Sequence, residues 1–194
     1  MDSDRLGLFI ADVSGHGVPA ALIASMVKMA AISQRDHAEN PAQILSAMNR
    51  ALCGNTQGQY VTAAYAWIDG AKKEVRYAAA GHPSMLLLRD GAVREIAENG
   101  LLLAAVDGIV YTEKTMTLLP GDRFLLYTDG LVEARNQAGE MFGEASLSAA
   151  FAQSAGLSPS DAVNEIVAKV QGWARSQDDD LTVLVCDYRG LEPA

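Results

Sequence analysis

Three turn signals in the middle of the chain constrain its fold more than any other feature of the sequence. They are Asp69-Gly70-Ala71-Lys72-Lys73, Asp90-Gly91 and Pro120-Gly121-Asp122. Each separates two short stretches with the composition of β-strands, and Asp-Gly between apolar runs is a strong signal for a two-residue hairpin. The strand pairs predicted in this way are 60–68 with 74–79, 84–89 with 92–96, and 111–118 with 123–128.

Helical patterns flank these strands on both sides. The flanking elements are, in chain order, a strand over 6–13, helices over about 19–33 and 41–52, helices over about 144–155 and 159–175, and a strand over 181–187. The first of these helices is apolar around nearly its whole circumference, so it needs a second partner besides its own sheet. This order predicts the α+β class, with antiparallel strands between two helix pairs, although the pattern alone leaves the order of the layers open.

The composition of the chain limits the kinds of molecule that it is expected to bind. The chain has 194 residues, 49% of them apolar, which is enough for one buried core. Its net charge of −9 argues against nucleic acid as a partner. No apolar run approaches the ~18 residues that a membrane span needs, and the acidic, polar start is unlike a signal peptide. We therefore expect a cytoplasmic protein with no membrane partner, in which Cys53 and Cys186 are buried free thiols.

Acidic residues lie at the ends of three apolar strands, each beside a turn. They are Asp12, Asp129 and the cluster Asp178-Asp179-Asp180, which directly precedes the last strand. Carboxylates that converge repel one another unless a cation neutralises them, and oxygen donors favour Mg²⁺ or Mn²⁺ over Zn²⁺. The pattern is compatible with a divalent metal site, and equally with ordinary turn and capping residues.

Four ordered segments spanning almost the whole chain carry a resemblance. They are Leu8-Phe9-Ile10-Ala11-Asp12-Val13-Ser14-Gly15-His16-Gly17-Val18-Pro19-Ala20-Ala21-Leu22, Ala79-Ala80-Gly81-His82-Pro83, Gly121-Asp122-Arg123-Phe124-Leu125-Leu126-Tyr127-Thr128-Asp129-Gly130-Leu131-Val132-Glu133-Ala134, and Asp179-Asp180-Leu181-Thr182-Val183. With them the chain resembles the SpoIIE/RsbU-like branch of the metal-dependent (protein phosphatase 2C-type, PPM) serine/threonine phosphatases.

The resemblance implies a four-layer αββα sandwich of two antiparallel sheets flanked by helix pairs, with a two-metal centre at the sheet edge. Asp12 would bridge two Mn²⁺ or Mg²⁺ ions, the Val13 carbonyl would bind the second ion, and Asp129 and Asp179 would hold the first. Asp178 and Asp180 are second choices for the last position. The expected organisation is one phosphatase-like domain over 1–190 and a tail over 191–194.

The function implied by the resemblance is a phosphoserine/phosphothreonine protein phosphatase in bacterial partner-switching or stress signalling. Water activated by metal would hydrolyse the phosphomonoester of a small, anti-anti-sigma-like phosphoprotein. The first two helices correspond to the region through which members of the family dimerise, so we expect a homodimer. The alternative is a catalytically impaired phosphatase-like module for signalling and dimerisation.

The sequence departs from the pattern of the family in two places. Eukaryotic relatives carry a histidine, proposed as a general acid, where this chain has Ser14; His16 is the nearest substitute, and its alternative role is to cap the following helix. The family also supplies a metal aspartate from a strand upstream of Arg5, so the fold is expected to be N-terminally truncated. That predicts weak or absent activity, at most one well-occupied metal and an exposed sheet edge. We expect His82 to serve the structure of its loop.

Overall fold

The computed structural model describes residues 4–176 and 179–190. Its strands are β1 Arg5–Val13, β2 Val61–Asp69, β3 Glu74–Ala80, β4 Met85–Arg89, β5 Ala92–Ile96, β6 Asn99–Gly100, β7 Lys114–Thr117, β8 Asp122–Tyr127 and β9 Val183–Tyr188. Its helices are α1 Gly17–Ser33, α2 Pro41–Leu52, α3 Gly130–Glu133, α4 Gly143–Gln153 and α5 Pro159–Trp173, with a 3₁₀ turn at Arg35–His37. The chain forms two compact units, and each has its own sheet and helices.

The first unit contains the chain up to His82 and the segment Glu98–Leu118. Its sheet has the order β1-β2-β3-β6, and β7 also pairs with β3. Strand β1 runs antiparallel to β2 along its whole length, and in the described part of the chain it is an edge strand. Buried side chains of α1 and α2 pack into one core with those of β2 and β3. They include Ile23, Val27, Ile44, Leu45, Met48, Tyr65 and Ala78.

Helix α1 buries only one side. Ile23 and Val27 are its buried residues, whereas the opposite side is exposed to solvent. The large apolar residues on that exposed side are Val18, Leu22, Met26, Met29 and Ile32. At the spacing of an α-helix these five fall on one stripe, which we call the α1 apolar face.

A buried asparagine joins α2 to the long loop between β6 and β7. The Asn49 side chain is fully buried; its Nδ2 donates to the Val106 carbonyl oxygen at 2.8 Å, and its Oδ1 accepts from the Ala104 amide at 2.9 Å. On the same helix the Ser46 hydroxyl accepts from the Tyr111 amide at 3.1 Å. These bonds satisfy backbone groups that an irregular loop would otherwise leave unpaired, so the loop is held against α2.

The second unit contains Pro83–Ala97 and Leu119–Gly190. Its antiparallel sheet has the order β5-β4-β8-β9, and α4 and α5 pack on it around Leu125, Phe151 and Ile166. The hairpin between β4 and β5 turns at Asp90 and Gly91, which both have positive φ angles of 53° and 76°. This is the backbone that a two-residue Asp-Gly turn requires, and the predicted hairpin is confirmed.

A buried arginine ties the second unit together. Arg123 on β8 donates from Nε and Nη2 to the two carboxylate oxygens of Asp187 on β9, at 2.6 and 2.9 Å. Its Nη1 and Nη2 also donate to the carbonyl oxygens of Ser154 and Leu157, at 2.5 and 2.6 Å. One side chain therefore links two strands to the turn between α4 and α5, and it satisfies buried carbonyls as it does so.

The structure confirms the predicted α+β class and departs from the predicted elements in detail. The strand predicted over 111–118 shrinks to β7, because Tyr111 is buried in the core and its hydroxyl donates to the Leu101 carbonyl oxygen at 2.7 Å. Helix α3 and strand β6 were not predicted. Cys53 and Cys186 are free, as expected, but half-buried rather than buried. Within the described residues no helix has both the length and the apolar character of a membrane span.

Candidate functional site

Asp129 lies where a buried strand turns into a short helix. All six residues of β8 are buried, Thr128 after them is buried too, and Asp129 is the N-cap of α3. The Asp129 carbonyl oxygen accepts from the amides of Val132 and Glu133, both at 2.9 Å. Its half-buried carboxylate is therefore carried on rigid backbone at the end of the sheet.

Thr128 connects this turn to the segment that contains Asp179. The Thr128 amide donates to the Thr182 carbonyl oxygen at 3.1 Å, and the Thr182 amide donates back to the Thr128 hydroxyl at 3.0 Å. The same hydroxyl donates to the Asp180 carbonyl oxygen at 3.3 Å. These three bonds continue the pairing of β8 with β9 beyond the last strand residues, so they fix the segment 179–182 beside Asp129.

Gly130 permits the close approach of that segment. A Cβ atom at this position would lie 2.6 Å from the Asp180 carbonyl oxygen and 3.4 Å from the Asp179 Cβ atom. The first distance is too short for any side chain, and the obstacle is backbone. The glycine is needed here because it lacks a Cβ atom.

The structure thus brings two of the predicted metal ligands together. Asp129 and Asp179 belong to the same unit and lie on adjoining segments, and the Asp179 Oδ1 accepts from the Asp180 amide at 2.8 Å. The Asp180 carbonyl oxygen accepts from the Thr128 hydroxyl, and Asp180 remains a second choice for the ligand. Asp178, the other second choice, lies outside the described residues.

Asp12 and Val13 are the last residues of β1, in the first unit. Asp12 is opposite Thr62 in the register with β2, so these two side chains share one face of the sheet. The turn after Val13 is anchored, because the Ser14 amide donates to the Tyr60 carbonyl oxygen and the Ser14 hydroxyl accepts from the Tyr60 amide, both at 3.0 Å. Asp12 and Val13 thus lie at a braced strand end of one unit, whereas Asp129 and Asp179 lie in the other.

The chemistry of the donors fits a hard divalent cation. Asp129 and Asp179 offer carboxylate oxygens, the ligands that Mg²⁺ and Mn²⁺ prefer. Among residues 4–176 and 179–190, no three Asp, Glu, His or Cys side chains form a group that could hold a metal ion. Asp129 and Asp179 are therefore predicted ligands on one unit, and Asp12 is a predicted ligand on the other.

Two histidines have different surroundings. His16 is the N-cap of α1, but it is exposed and its side chain makes no capping hydrogen bond within the described residues. His82 is buried; its Nδ1 lies 2.9 Å from the Thr62 hydroxyl, and its carbonyl oxygen accepts from Asn99 Nδ2 at 2.9 Å. His82 thus braces its loop against β2, and through Thr62 it adjoins the position of Asp12 in the sheet.

Thr128 and Gly130 are the residues that the sequence reasoning did not single out. Both stand next to Asp129 in a segment recognised as a motif, yet neither has a side chain that binds metal. A signal was present, because a threonine that follows the apolar run 124–127 is expected to be buried and then needs hydrogen-bond partners.

Comparison with known proteins finds a family model and curated relatives that match this chain. The family model for Stage II sporulation protein E (SpoIIE) matches residues 2–189. Phosphoserine phosphatase RsbU of Bacillus subtilis (strain 168) is 32% identical over 141 residues, which are 71% of this chain and 42% of that protein. The chain spans less than half the length of the curated relatives it matches.

Solved structures share the fold. The SiaA-PP2C domain of Pseudomonas aeruginosa superposes with a TM-score of 0.86 at 24% identity, over 97% of this chain and 78% of that one. The catalytic domain of the serine threonine protein phosphatase PstP, solved in complex with 2 manganese ions, superposes with a TM-score of 0.66 at 18% identity, over 93% and 86%. At these identities the likeness establishes the PP2C-type α+β fold.

Proposed function

This chain belongs to the SpoIIE family, and from that premise we propose that it is a protein serine/threonine phosphatase. The observation that carries the proposal is the pairing of Asp129 with Asp179, held by Thr128 and permitted by Gly130. The matches to RsbU, named a phosphoserine phosphatase, and to PstP, named a serine threonine protein phosphatase, support it. The match to residues 2–189 supports one phosphatase-like domain over 1–190, with 191–194 as a tail.

In this proposal the metal is Mn²⁺ or Mg²⁺. Asp129 and Asp179 would hold one ion, and Asp12 with the Val13 carbonyl oxygen would complete the centre. The manganese ions of the PstP structure and the magnesium of the RsbX structure support this choice. Such ions lower the pKa of water and neutralise the charge of a phosphoryl group.

The residues of the chain itself position the reactants. Thr128 and Gly130 keep the two carboxylates on adjoining backbone, so that little reorganisation is needed when a cation binds. Neither cysteine is proposed as a nucleophile. Burial, with the nearby Asp187 carboxylate, raises the pKa of Cys186, and a protonated thiol is a poor nucleophile.

The substrate that we propose is a phosphorylated protein of a bacterial signalling pathway, of the small anti-anti-sigma type, in partner switching or stress signalling. The likeness to RsbU and the solved RsbU and RsbW domains of a Mycobacterium tuberculosis protein supports this class. The net charge of −9 is also a poor match to nucleic acid.

Hydrolysis of p-nitrophenyl phosphate with added Mn²⁺ tests the activity. We expect weak turnover by the wild-type chain, in keeping with the departures from the family pattern, and a further loss of at least about a hundredfold in Asp129→Asn, because an amide is a poor ligand for a hard cation. Asp36→Asn, which alters an exposed carboxylate in the 3₁₀ turn, is the matched control and should retain full turnover. Equal activity of Asp129→Asn and the control would refute the proposal.

A second candidate is a phosphatase-like signalling and dimerisation module with impaired catalysis. The α1 apolar face favours it, because the free energy of the protein falls when an exposed stripe of five large apolar side chains is covered by a partner.

The homodimer through α1 and α2, or through the β1 edge, is part of both candidates. Sedimentation of the wild-type chain and of Leu22→Glu, with Ala24→Glu as the exposed control off that face, tests the dimer. Detection of turnover then separates the two candidates.

A further inference from the structure

The second unit contains a cavity of about 450 Å³ next to the paired aspartates. It is formed by α3, the end of α5 and the segment that begins at Asp179. Its apolar lining residues are Ala134, Val170, Ala174 and Leu181. A volume of roughly 300–1,000 Å³ is usual for pockets that take a ligand, so this cavity is large enough for a side chain and its flanking backbone.

The cavity adjoins one of the two candidate metal ligands of this unit. Gly130, which follows Asp129, lines it, and so does Asp179 itself. An extended peptide advances by about 3.3 Å per residue. A phosphorylated residue presented to a cation on Asp129 and Asp179 therefore places its neighbours, one to three residues away, at the mouth of the cavity.

The lining favours an apolar guest over a charged one. Val170, in its floor, is 1% exposed, and the other apolar residues are half-buried. Arg135 also lines the cavity, and its Nη1 donates to the Gly139 carbonyl oxygen at 2.8 Å. Glu133 is the carboxylate of the lining that the proposed metal centre does not use, and its charge offsets that of Arg135.

We propose that this cavity is a specificity subsite that takes an apolar side chain flanking the phosphoserine or phosphothreonine of the protein substrate. The inference rests on the proposed phosphatase function and adds the character of the sequence around the phosphorylated residue. Binding comes from burial of apolar surface; an acidic side chain gains no such burial and meets the carboxylate of Glu133.

A set of phosphoserine peptides tests the subsite on the wild-type chain. Each peptide has an alanine background and carries one Leu, or one Asp, at one of the three positions on either side of the phosphoserine. With Mn²⁺ present, kcat/KM should be about tenfold higher for Leu than for Ala at one of these positions or more, and lower for Asp there. Values within twofold of one another for the whole set would overturn the proposal.

Filling the cavity provides a second test. Ala174→Phe should raise KM for the preferred Leu peptide at least tenfold more than it raises KM for p-nitrophenyl phosphate, which is too small to reach the subsite. Ala168→Phe, on an exposed position of α5 outside the lining, is the matched control and should change neither KM. Equal effects of Ala174→Phe on both substrates, or none on either, would argue against the subsite.

Binding measured without turnover separates this proposal from the proposed function. Fluorescence anisotropy of the labelled Leu and Asp peptides reports on the cavity even if the chain hydrolyses neither peptide. Preference for the Leu peptide that is lost in Ala174→Phe supports the subsite, and equal binding of both peptides contradicts it. Absence of p-nitrophenyl phosphate hydrolysis refutes the catalytic proposal alone.

Discussion

At the scale of single residues, Gly130 decides how closely Asp179 can approach Asp129. We predict that Gly130→Ala lowers kcat for p-nitrophenyl phosphate by about tenfold to a hundredfold, since displacement of a ligand by even 1 Å is costly to catalysis. The physical reason is the 2.6 Å separation between the added Cβ atom and the Asp180 carbonyl oxygen, which forces the segment 179–181 away.

Gly172 gives the matched control. A Cβ atom there meets nothing within 4 Å, so Gly172→Ala should keep full activity and stabilise α5 by about 0.5–1 kcal/mol. If the two alanine variants were equally active, close approach at Gly130 would have no part in the site.

We make a second prediction at this scale, for the hydroxyl of Thr128. Thr128→Val keeps the shape of the side chain but leaves the Thr182 amide without its acceptor and the Asp180 carbonyl oxygen without its donor. We expect Mn²⁺ affinity, measured by isothermal titration, to fall about tenfold to a hundredfold, as for other groups that orient metal ligands. Thr128→Ser retains the hydroxyl and should stay within about threefold of wild type. Similar losses in both variants would instead indicate a packing role for the threonine methyl group.

At the scale of elements, Arg123 joins β8, β9 and the turn between α4 and α5. Arg123→Met should lower the free energy of unfolding by about 3 kcal/mol, because Asp187 and two carbonyl oxygens lose their donors. Urea denaturation monitored by circular dichroism measures this loss. Arg94→Met, on an exposed position of β5, should change stability by less than about 0.5 kcal/mol. If Arg123→Met also changed the free energy of unfolding by less than about 0.5 kcal/mol, the hydrogen bonds of Arg123 would make no net contribution to stability.

The elements were predictable wherever a local signal dominates. Asp90-Gly91 can adopt the positive φ angles of a hairpin turn, and Ser158 caps α5 by accepting from the Asp161 amide, as its sequence indicates. The strand predicted over 111–118 was too long because Tyr111 is held by Ser46 of α2. Helix α3 has four residues, too few for a periodic pattern. In the first case a contact between residues distant in sequence ends the strand, and in the second the helix is too short. Sequence periodicity reports neither.

At the scale of the whole molecule, binding of a metal should raise thermal stability. At a concentration of Mn²⁺ 100 times Kd, binding to the folded state alone contributes about 2.7 kcal/mol, or roughly 5–10 °C in Tm for a chain of this size. We expect this shift in the wild-type chain, measured by differential scanning calorimetry, and little of it in Asp179→Asn. A shift of the same size in Asp179→Asn would place the metal elsewhere.

The α+β fold class and the proximity of Asp129 to Asp179 could be predicted from the sequence, whereas α3, β6 and the extent of β7 could not. Family motifs identified Asp129 and Asp179, and the structure puts them on adjoining segments although 50 positions separate them, 179 − 129. The hydrogen bonds that hold the two segments side by side join Thr128 to Thr182, and they continue the pairing of β8 with β9. Asp12 belongs to the other unit, so its share in a metal centre stays a prediction from the motif.

The amide of Asn49 has a mechanical consequence. Its Oδ1 and Nδ2 hold the backbone at Ala104 and Val106, so the loop is attached to α2 at two points. A force that rotates or slides the helix must drag the loop with it or break both bonds at once. The exposed tip at Ala105–Gly108 is therefore tethered to α2 through the backbone at Ala104 and Val106.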